Sequence, residues 1–160
     1  MESRVKLLGH AIHPMLIVIP LGVLATSLVF DILRGITGRS LFSEIAFWDI
    51  AVGVIGGLLA AVFGLIDWLS IPGGTRAKSV GLWHGLGNVV VVVLFALSWL
   101  LRLGHASEPG LFPVLLSVVA VLLALVTAWL GGELVERLRI GVDDGANVDA
   151  PSSLTGRRAS

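Results

Sequence analysis

The sequence predicts an all-α integral membrane protein, an up-down bundle of four transmembrane helices. Apolar residues make up 56% of its 160 residues and charged residues only 14%, whereas a soluble domain typically carries about 25% charged residues. Four segments reach the length of about 20 apolar residues that a helix needs to cross a bilayer. Short connections join these segments, so each helix has to return beside its predecessor.

The helices are predicted from the apolar runs and from the turn residues between them. Ile71-Pro72-Gly73-Gly74 ends the second helix, and Pro109-Gly110 precedes the fourth. Residues 1–142 then form one transmembrane domain, and the polar composition of residues 143–160 predicts a disordered tail. No internal repeat is visible in the sequence. The predicted helices cover residues of about 14–33, 45–69, 80–102 and 111–135.

Basic residues near the helix ends predict the orientation. Six lie on the side of the termini, namely Arg4, Lys6, Arg76, Lys78, Arg137 and Arg139. The opposite side has three, namely Arg34, Arg39 and Arg102. The positive-inside rule therefore predicts a multi-pass protein of the inner (plasma) membrane with both termini in the cytoplasm. Its surroundings are then the lipid bilayer.

Small residues recur along the second and fourth segments at spacings of three and four. They are Gly53, Gly57, Ala60 and Gly64, and then Ser117, Ala120, Ala124, Thr127 and Gly131. In lipid, small residues allow helix backbones to approach closely, so these positions predict tightly packed helix faces. We interpret them as packing positions without chemistry.

Polar side chains on the same helix faces form two predicted layers. Ionisable residues inside a membrane are costly and usually face the bundle interior. The layer on the side of the termini contains His13, Asp67, His84, Asn88 and Glu133, and the opposite layer contains Asp31, Asp49 and Ser98. Asp31 is also expected to pair with Arg34, three residues along the same helix.

Composition excludes several classes of function. The chain has no cysteine, which excludes disulfides, thiolate metal sites and covalent c-type haem attachment. Its 11 basic and 11 acidic residues cancel, so no net positive charge favours nucleic acid. The sequence also lacks a phosphate-binding loop and a Gly-x-Ser-x-Gly nucleophile motif.

Two histidines form the strongest candidate site. His13 at the start of the first helix and His84 in the third enter from the same side at one depth. Two imidazoles on facing helices are what a non-covalent b-type haem requires. Asn88 lies one turn from His84 on the same face, and Arg76 is a candidate partner for a haem propionate. We therefore predict a hypothetical haem b site at His13, His84, Asn88 and Arg76.

Three alternatives remain open. In the first alternative, the polar cluster, with His10, Asp67 and Glu133 around the two histidines, has no role other than fixing the helix register. His10, His13, His84 and Asp67 also form a mixed nitrogen and oxygen set that suits a metal ion. A proton or ion pathway between the two polar layers is the third alternative. Whether the protein is an enzyme stays undecided.

Three stretches carry a resemblance to a known family. They are Gly9-His10-Ala11-Ile12-His13-Pro14-Met15, Gly64-Leu65-Ile66-Asp67-Trp68 continuing through Gly74-Thr75-Arg76 to His84 and Asn88, and Trp129-Leu130-Gly131-Gly132-Glu133-Leu134-Val135. The chain resembles the bacterial membrane-protein family called domain of unknown function 2231, which implies four membrane helices and an activity that is not established. It departs from the family pattern at Glu136 and Leu138, where a Tyr and a His are expected.

The chain is also similar, more loosely, to four-helix membrane cytochromes of the b type. Some members of the family carry an iron–sulfur ferredoxin domain, so the resemblance implies an iron–sulfur or other redox protein as partner. The leading functional hypothesis is a haem-binding component of membrane electron transfer.

Overall fold

The computed structural model describes residues 1–155 and confirms the predicted bundle of four long helices. A short hairpin, β1 (Lys6–Leu7) and β2 (His10–Ala11), precedes them. The first span consists of α1 (Ile12–Leu16) and α2 (Val18–Thr37), and the others are α3 (Ser40–Ser70), α4 (Arg76–Leu101) and α5 (Leu111–Gly132). A π-helical turn, Glu133–Arg137, continues α5, and Ser153–Thr155 forms a 3-10 turn. Each long helix is apolar enough to cross a membrane.

The helices extend beyond the predicted apolar runs. The predicted connection of residues 34–44 is reduced to Gly38 and Arg39 between α2 and α3. Gly38 ends α2 with φ 73°, a left-handed conformation that glycine adopts without a steric penalty. With 31 residues, α3 is roughly 46 Å long, whereas the hydrocarbon core is about 30 Å thick. Hydropathy therefore indicates the part within lipid, while the polar helix ends lie outside it.

The first span is interrupted at Ile17, between α1 and α2. Pro20 has no backbone N–H to donate to the Leu16 carbonyl, and its ring crowds that same carbonyl. The helix resumes with hydrogen bonds from Ile17 N to His13 O and from Leu21 N to Ile17 O. The backbone stays helical at Ile17, with φ −63° and ψ −19°, so His13 lies in the first turn of a nearly continuous span.

The four long helices form a ring in chain order, since α2 packs against α3 and α5, and α4 packs against the same two helices. The helices α2 and α4 are therefore diagonal. One end of the bundle, the terminal end, has the amino terminus, residues 139–155 and the turn between α3 and α4. The opposite end has the turns that precede α3 and α5.

The two helical hairpins, α2–α3 and α4–α5, repeat the same pattern of burial. Each of four buried positions of α2 has a buried counterpart in α4 or just after it, always at the same offset in numbering. The pairs are Pro20 and Val91, Leu24 and Phe95, Ser27 and Ser98, and Asp31 and Arg102. Likewise, four buried α3 positions match the four of α5, with the pairs Ala46 and Pro113, Ile50 and Ser117, Gly53 and Ala120, and Ala60 and Thr127. An approximate twofold axis along the bundle relates the hairpins, although few residue identities repeat.

An apolar cluster fills the middle of the bundle, and small residues let the helices close around it. Its buried members are Leu24, Ile50, Val91, Phe95 and Ala120. A side chain at Gly53 would overlap Leu24, and a Cβ at Gly57 would lie 3.0 Å from Val92. These glycines of α3 face the neighbouring helices, as their spacing predicts.

The terminal end is covered by a terminal cap, which we define as residues 1–11 together with residues 139–155. The Gly141 amide donates to the Met1 carbonyl at 2.9 Å, and the Ser153 hydroxyl donates to the Leu8 carbonyl at 3.0 Å. Within the predicted disordered tail, Asp143 and Ser153 therefore contact the amino-terminal hairpin and its turn. Residues 156–160 of that tail lie outside the described residues.

Candidate functional site

The imidazole of His13 connects α1 to α3. Its Nδ1 lies 2.9 Å from the carbonyl oxygen of Ala60. Since a carbonyl only accepts hydrogen bonds, Nδ1 carries the proton, and Nε2 of the neutral ring keeps its lone pair. The ring lies against Gly64, where a Cβ would approach His13 Cε1 to 2.8 Å. Because Gly64 has no side chain, there is room for the imidazole of His13 at this position.

The imidazole of His84 connects α4 to α5 in the same way. Its Nδ1 lies 2.9 Å from the Thr127 carbonyl oxygen, and a Cβ at Gly131 would lie 3.1 Å from His84 Cε1. The tautomer is therefore the same as that of His13, with Nε2 as the unprotonated nitrogen.

Asn88 stabilises the His84 position from one turn further along α4. Its amide nitrogen donates to the His84 carbonyl at 2.9 Å, and the Thr127 hydroxyl donates to Asn88 Oδ1 at 3.0 Å. That amide nitrogen lies 3.4 Å from His84 Nδ1 and 3.2 Å from Nε2. An atom along the Nε2 lone pair would lie much further from Nδ1, so Asn88 does not occupy the Nε2 direction.

The two histidines occupy equivalent places in the two hairpins. His13, Ala60 and Gly64 in the first correspond to His84, Thr127 and Gly131 in the second, at the offsets that relate the buried positions. The two rings therefore lie at one depth, near the terminal end. Each unit contains an imidazole, a helix carbonyl that binds its Nδ1, and a glycine four residues after that carbonyl.

The other predicted members of this layer have partners of their own. The Ser3 hydroxyl donates to Asp67 at 2.7 Å, and the Arg4 amide donates to it at 3.0 Å. Glu133 accepts a hydrogen bond from Arg76 at 2.6 Å. These carboxylates therefore fix the chain at the terminal end, outside the two histidine units.

His10 is separate from the histidine pair. It lies in β2, exposed, with Nδ1 3.2 Å from the Leu8 carbonyl oxygen. Within residues 1–155, no three His, Asp or Glu side chains come close enough together to hold a metal ion. The set of His10, His13, His84 and Asp67 therefore does not converge.

The layer at the opposite end contains a buried ion pair that the sequence did not indicate. Arg102 is 0% exposed, and its Nη1 and Nη2 donate to the two carboxylate oxygens of Asp31, both at 2.7 Å. Its Nε donates to Ser98 at 3.3 Å, and Nη2 donates to Ser117 at 3.4 Å. This pair joins the two hairpins across the diagonal of the bundle.

The expected pairing of Asp31 with Arg34 is wrong. Arg34 instead lies 3.9 Å from Glu108 at the surface, while the Asp31 carboxylate faces the interior, where Arg102 reaches it. A charged residue at the end of an apolar run has the hydropathy of a loop residue. Hydropathy therefore gave no indication that Arg102 turns inward.

The two polar layers are separated by the apolar cluster. Asp49 accepts a hydrogen bond from the Thr26 hydroxyl at 3.1 Å, and Asp31 is bound by Arg102. Between these residues and the histidines lie the buried side chains Leu24, Ile50, Val91, Phe95 and Ala120. The apolar cluster thus lies between the two groups of polar residues that a proton or ion pathway would have to connect.

Comparison with known proteins identifies one family. A family model described as a predicted membrane protein (DUF2231) matches residues 9–144. The match covers both histidine units and all four long helices. No curated protein and no solved structure matches the chain significantly.

Proposed function

The chain belongs to the DUF2231 family of predicted membrane proteins, and from that premise we propose that it is a b-type haem-binding component of membrane electron transfer. One observation carries the proposal. The histidine unit is present once in each hairpin, and each unit leaves Nε2 as the nitrogen that can bind a metal.

The chemistry of the two nitrogen donors suits residues that would hold a haem iron. A histidine that binds a metal through one ring nitrogen usually donates its other N–H to a carbonyl or carboxylate, which fixes the tautomer and orients the ring. Ala60 and Thr127 supply these carbonyls. When bound, a b-type haem supplies one-electron transfer within the membrane. His13 and His84 would hold it through Nε2, and Asn88 would keep His84 in place.

Arg76 contributes less than its sequence position implied. Its side chain is 60% exposed and its guanidinium binds Glu133 at 2.6 Å, so a haem propionate would have to compete with that carboxylate. The proposal therefore rests on the two histidines.

The cellular setting is part of the proposal. We place the protein in the inner membrane with its termini in the cytoplasm, and this is supported by the exposed Arg4, Arg137 and Arg139 at the terminal end. The histidines then lie near the cytoplasmic surface. An iron–sulfur or other soluble redox protein is the proposed partner.

The test is the colour of the purified protein and of four single variants. Protein from a haem-sufficient host should show a Soret band that shifts on reduction. His84→Ala should abolish the band, and His13→Ala should weaken haem retention and leave a five-coordinate species. His10→Ala and His105→Ala are the matched controls, because both residues are exposed, and they should leave the spectrum unchanged.

A structural role is the second candidate, because each Nδ1 hydrogen bond by itself joins two helices of a hairpin. Under that role, His13→Ala and His84→Ala lower the stability in detergent. Wild-type protein that stays colourless after haem titration would favour this candidate and contradict haem binding.

A further inference from the structure

We propose that the terminal cap is a clamp that holds His13, so that its opening releases His13 while His84 stays fixed. The inference deepens the proposed function, because it makes His13 the exchangeable member of the histidine pair. It depends on a difference between the two hairpins, whose burial patterns otherwise match.

The two histidines differ in how their backbones are held. His84 lies in α4, an uninterrupted helix of 26 residues, and Asn88 and Thr127 bind it on both sides. His13 is the second residue of α1, in the first turn of its membrane span, and every residue of α1 is exposed or half-buried. The first turn of a helix, when it has little buried surface, opens more easily than the middle of a long helix.

The amino-terminal hairpin determines where α1 begins. The Ile12 amide donates to the Val5 carbonyl at 3.1 Å, and β2 ends at Ala11. His13 follows after one more residue, so displacement of the hairpin moves His13 with it. The hairpin is itself tied to α3, because Ser3 and Arg4 bind Asp67.

The carboxy-terminal segment holds the hairpin from its other side. Lys6 Nζ lies 2.6 Å from Glu2 and 3.4 Å from Asp143, and the Asp144 amide donates to Glu2 at 3.2 Å. The hydrogen bond from Lys6 lowers the pKa of Glu2, and the hydrogen bond to Glu2 raises the pKa of Lys6. The pKa of Asp143 is lowered by the Gly145 amide and by Lys6.

These ionic contacts are suited to a reversible clamp. The side chains of Lys6 and Asp143 are 26% and 57% exposed, and ion pairs at such positions are weak and screened by salt. The clamp should therefore open far more readily than the bundle unfolds. His13 and His84 would together hold a bound haem, and opening of the clamp would release it from His13 while His84 would still hold it.

The experiment measures how fast diethyl pyrocarbonate modifies each histidine, resolved by peptide mass spectrometry on the full-length protein in detergent. Exposed His10 and His105 report the reagent concentration. Asp143→Asn should accelerate modification of His13 by about two- to fivefold, the change that loss of one exposed ion pair gives. Asp67→Ala, which releases the other side of the hairpin, should act in the same direction. Asp149→Asn, in the same segment, is the matched control.

His84 is the decisive comparison. The proposal requires that its modification rate stay constant in both variants and that added salt accelerate only His13. It is overturned if His13 and His84 accelerate together, which indicates general loosening, or if His13 stays at its wild-type rate in both variants. The readout needs no haem, so the clamp is tested even in a colourless protein, whose lack of colour contradicts only the proposed function.

Discussion

Arg102 shows how a single residue connects the halves of the bundle. It lies just after α4, fully buried, and its guanidinium binds both carboxylate oxygens of Asp31 in α2. The two residues occupy equivalent positions in the two hairpins. The acidic residue of the first hairpin and the basic residue of the second therefore meet across the twofold axis. Two residues of the same charge at these positions would repel each other.

Removal of Arg102 alone should be strongly destabilising. Arg102→Met leaves Asp31 charged and unpaired inside the bundle, which costs about 3–5 kcal/mol of unfolding free energy. The double variant Asp31→Leu/Arg102→Met should recover most of that loss, because the charge has gone as well. Unfolding in mixed detergent measures both, with Arg39→Met as a control at an exposed position of the same end. Equal stability of the single and double variants would contradict the pairing.

At the scale of the helices, the apolar runs and the small-residue spacing predicted much of the architecture. The number of helices, their up-down order and the inward face of α3 follow from hydropathy and from Gly53, Gly57 and Gly64. The helix ends do not, since residues 40–44 and 76–79 are polar enough for loops and still continue the hydrogen bonding of a helix.

The glycine positions provide a matched test of helix packing. Gly53→Ala should cost about 1–3 kcal/mol, because the added methyl overlaps Leu24 in the apolar cluster. Gly22→Ala in α2 faces open space, so there the better helix propensity of alanine should be neutral or stabilising by up to about 1 kcal/mol. Both are read out as shifts in the detergent unfolding transition. If the Gly53→Ala variant is as stable as Gly22→Ala, the inward face of α3 has been assigned wrongly.

At the scale of the whole molecule, the repeat of two hairpins explains why the candidate site was only partly predictable. The sequence predicted that His13 and His84 lie at one depth, because both lie near the same end of the bundle in their predicted helices. It gave no indication of Ala60 and Thr127, whose backbone carbonyls bind the rings, because any residue type has that carbonyl. The repeat itself was missed because burial is repeated while most identities, such as Asp31 and Arg102, are not.

Orientation is a prediction about the whole molecule that cysteine labelling tests. Because the chain has no cysteine, Gly73→Cys at the terminal end and Ser107→Cys at the opposite end each introduce a single thiol. An impermeant thiol reagent added to intact cells should label only Ser107→Cys. Labelling of Gly73→Cys alone would invert the proposed orientation and put the histidines on the outer side.

Equilibrium haem titration of the wild-type protein and of the variant His13→Ala/His84→Ala tests the proposal that His13 and His84 hold a haem. Both proteins are purified in detergent and titrated with haem b while the Soret region and the reduced spectrum are recorded. We expect the wild-type protein to give a low-spin six-coordinate spectrum that saturates at equimolar haem. The double variant should not give this spectrum. A wild-type protein that gives no such spectrum, or a double variant that binds haem equally well, would contradict it.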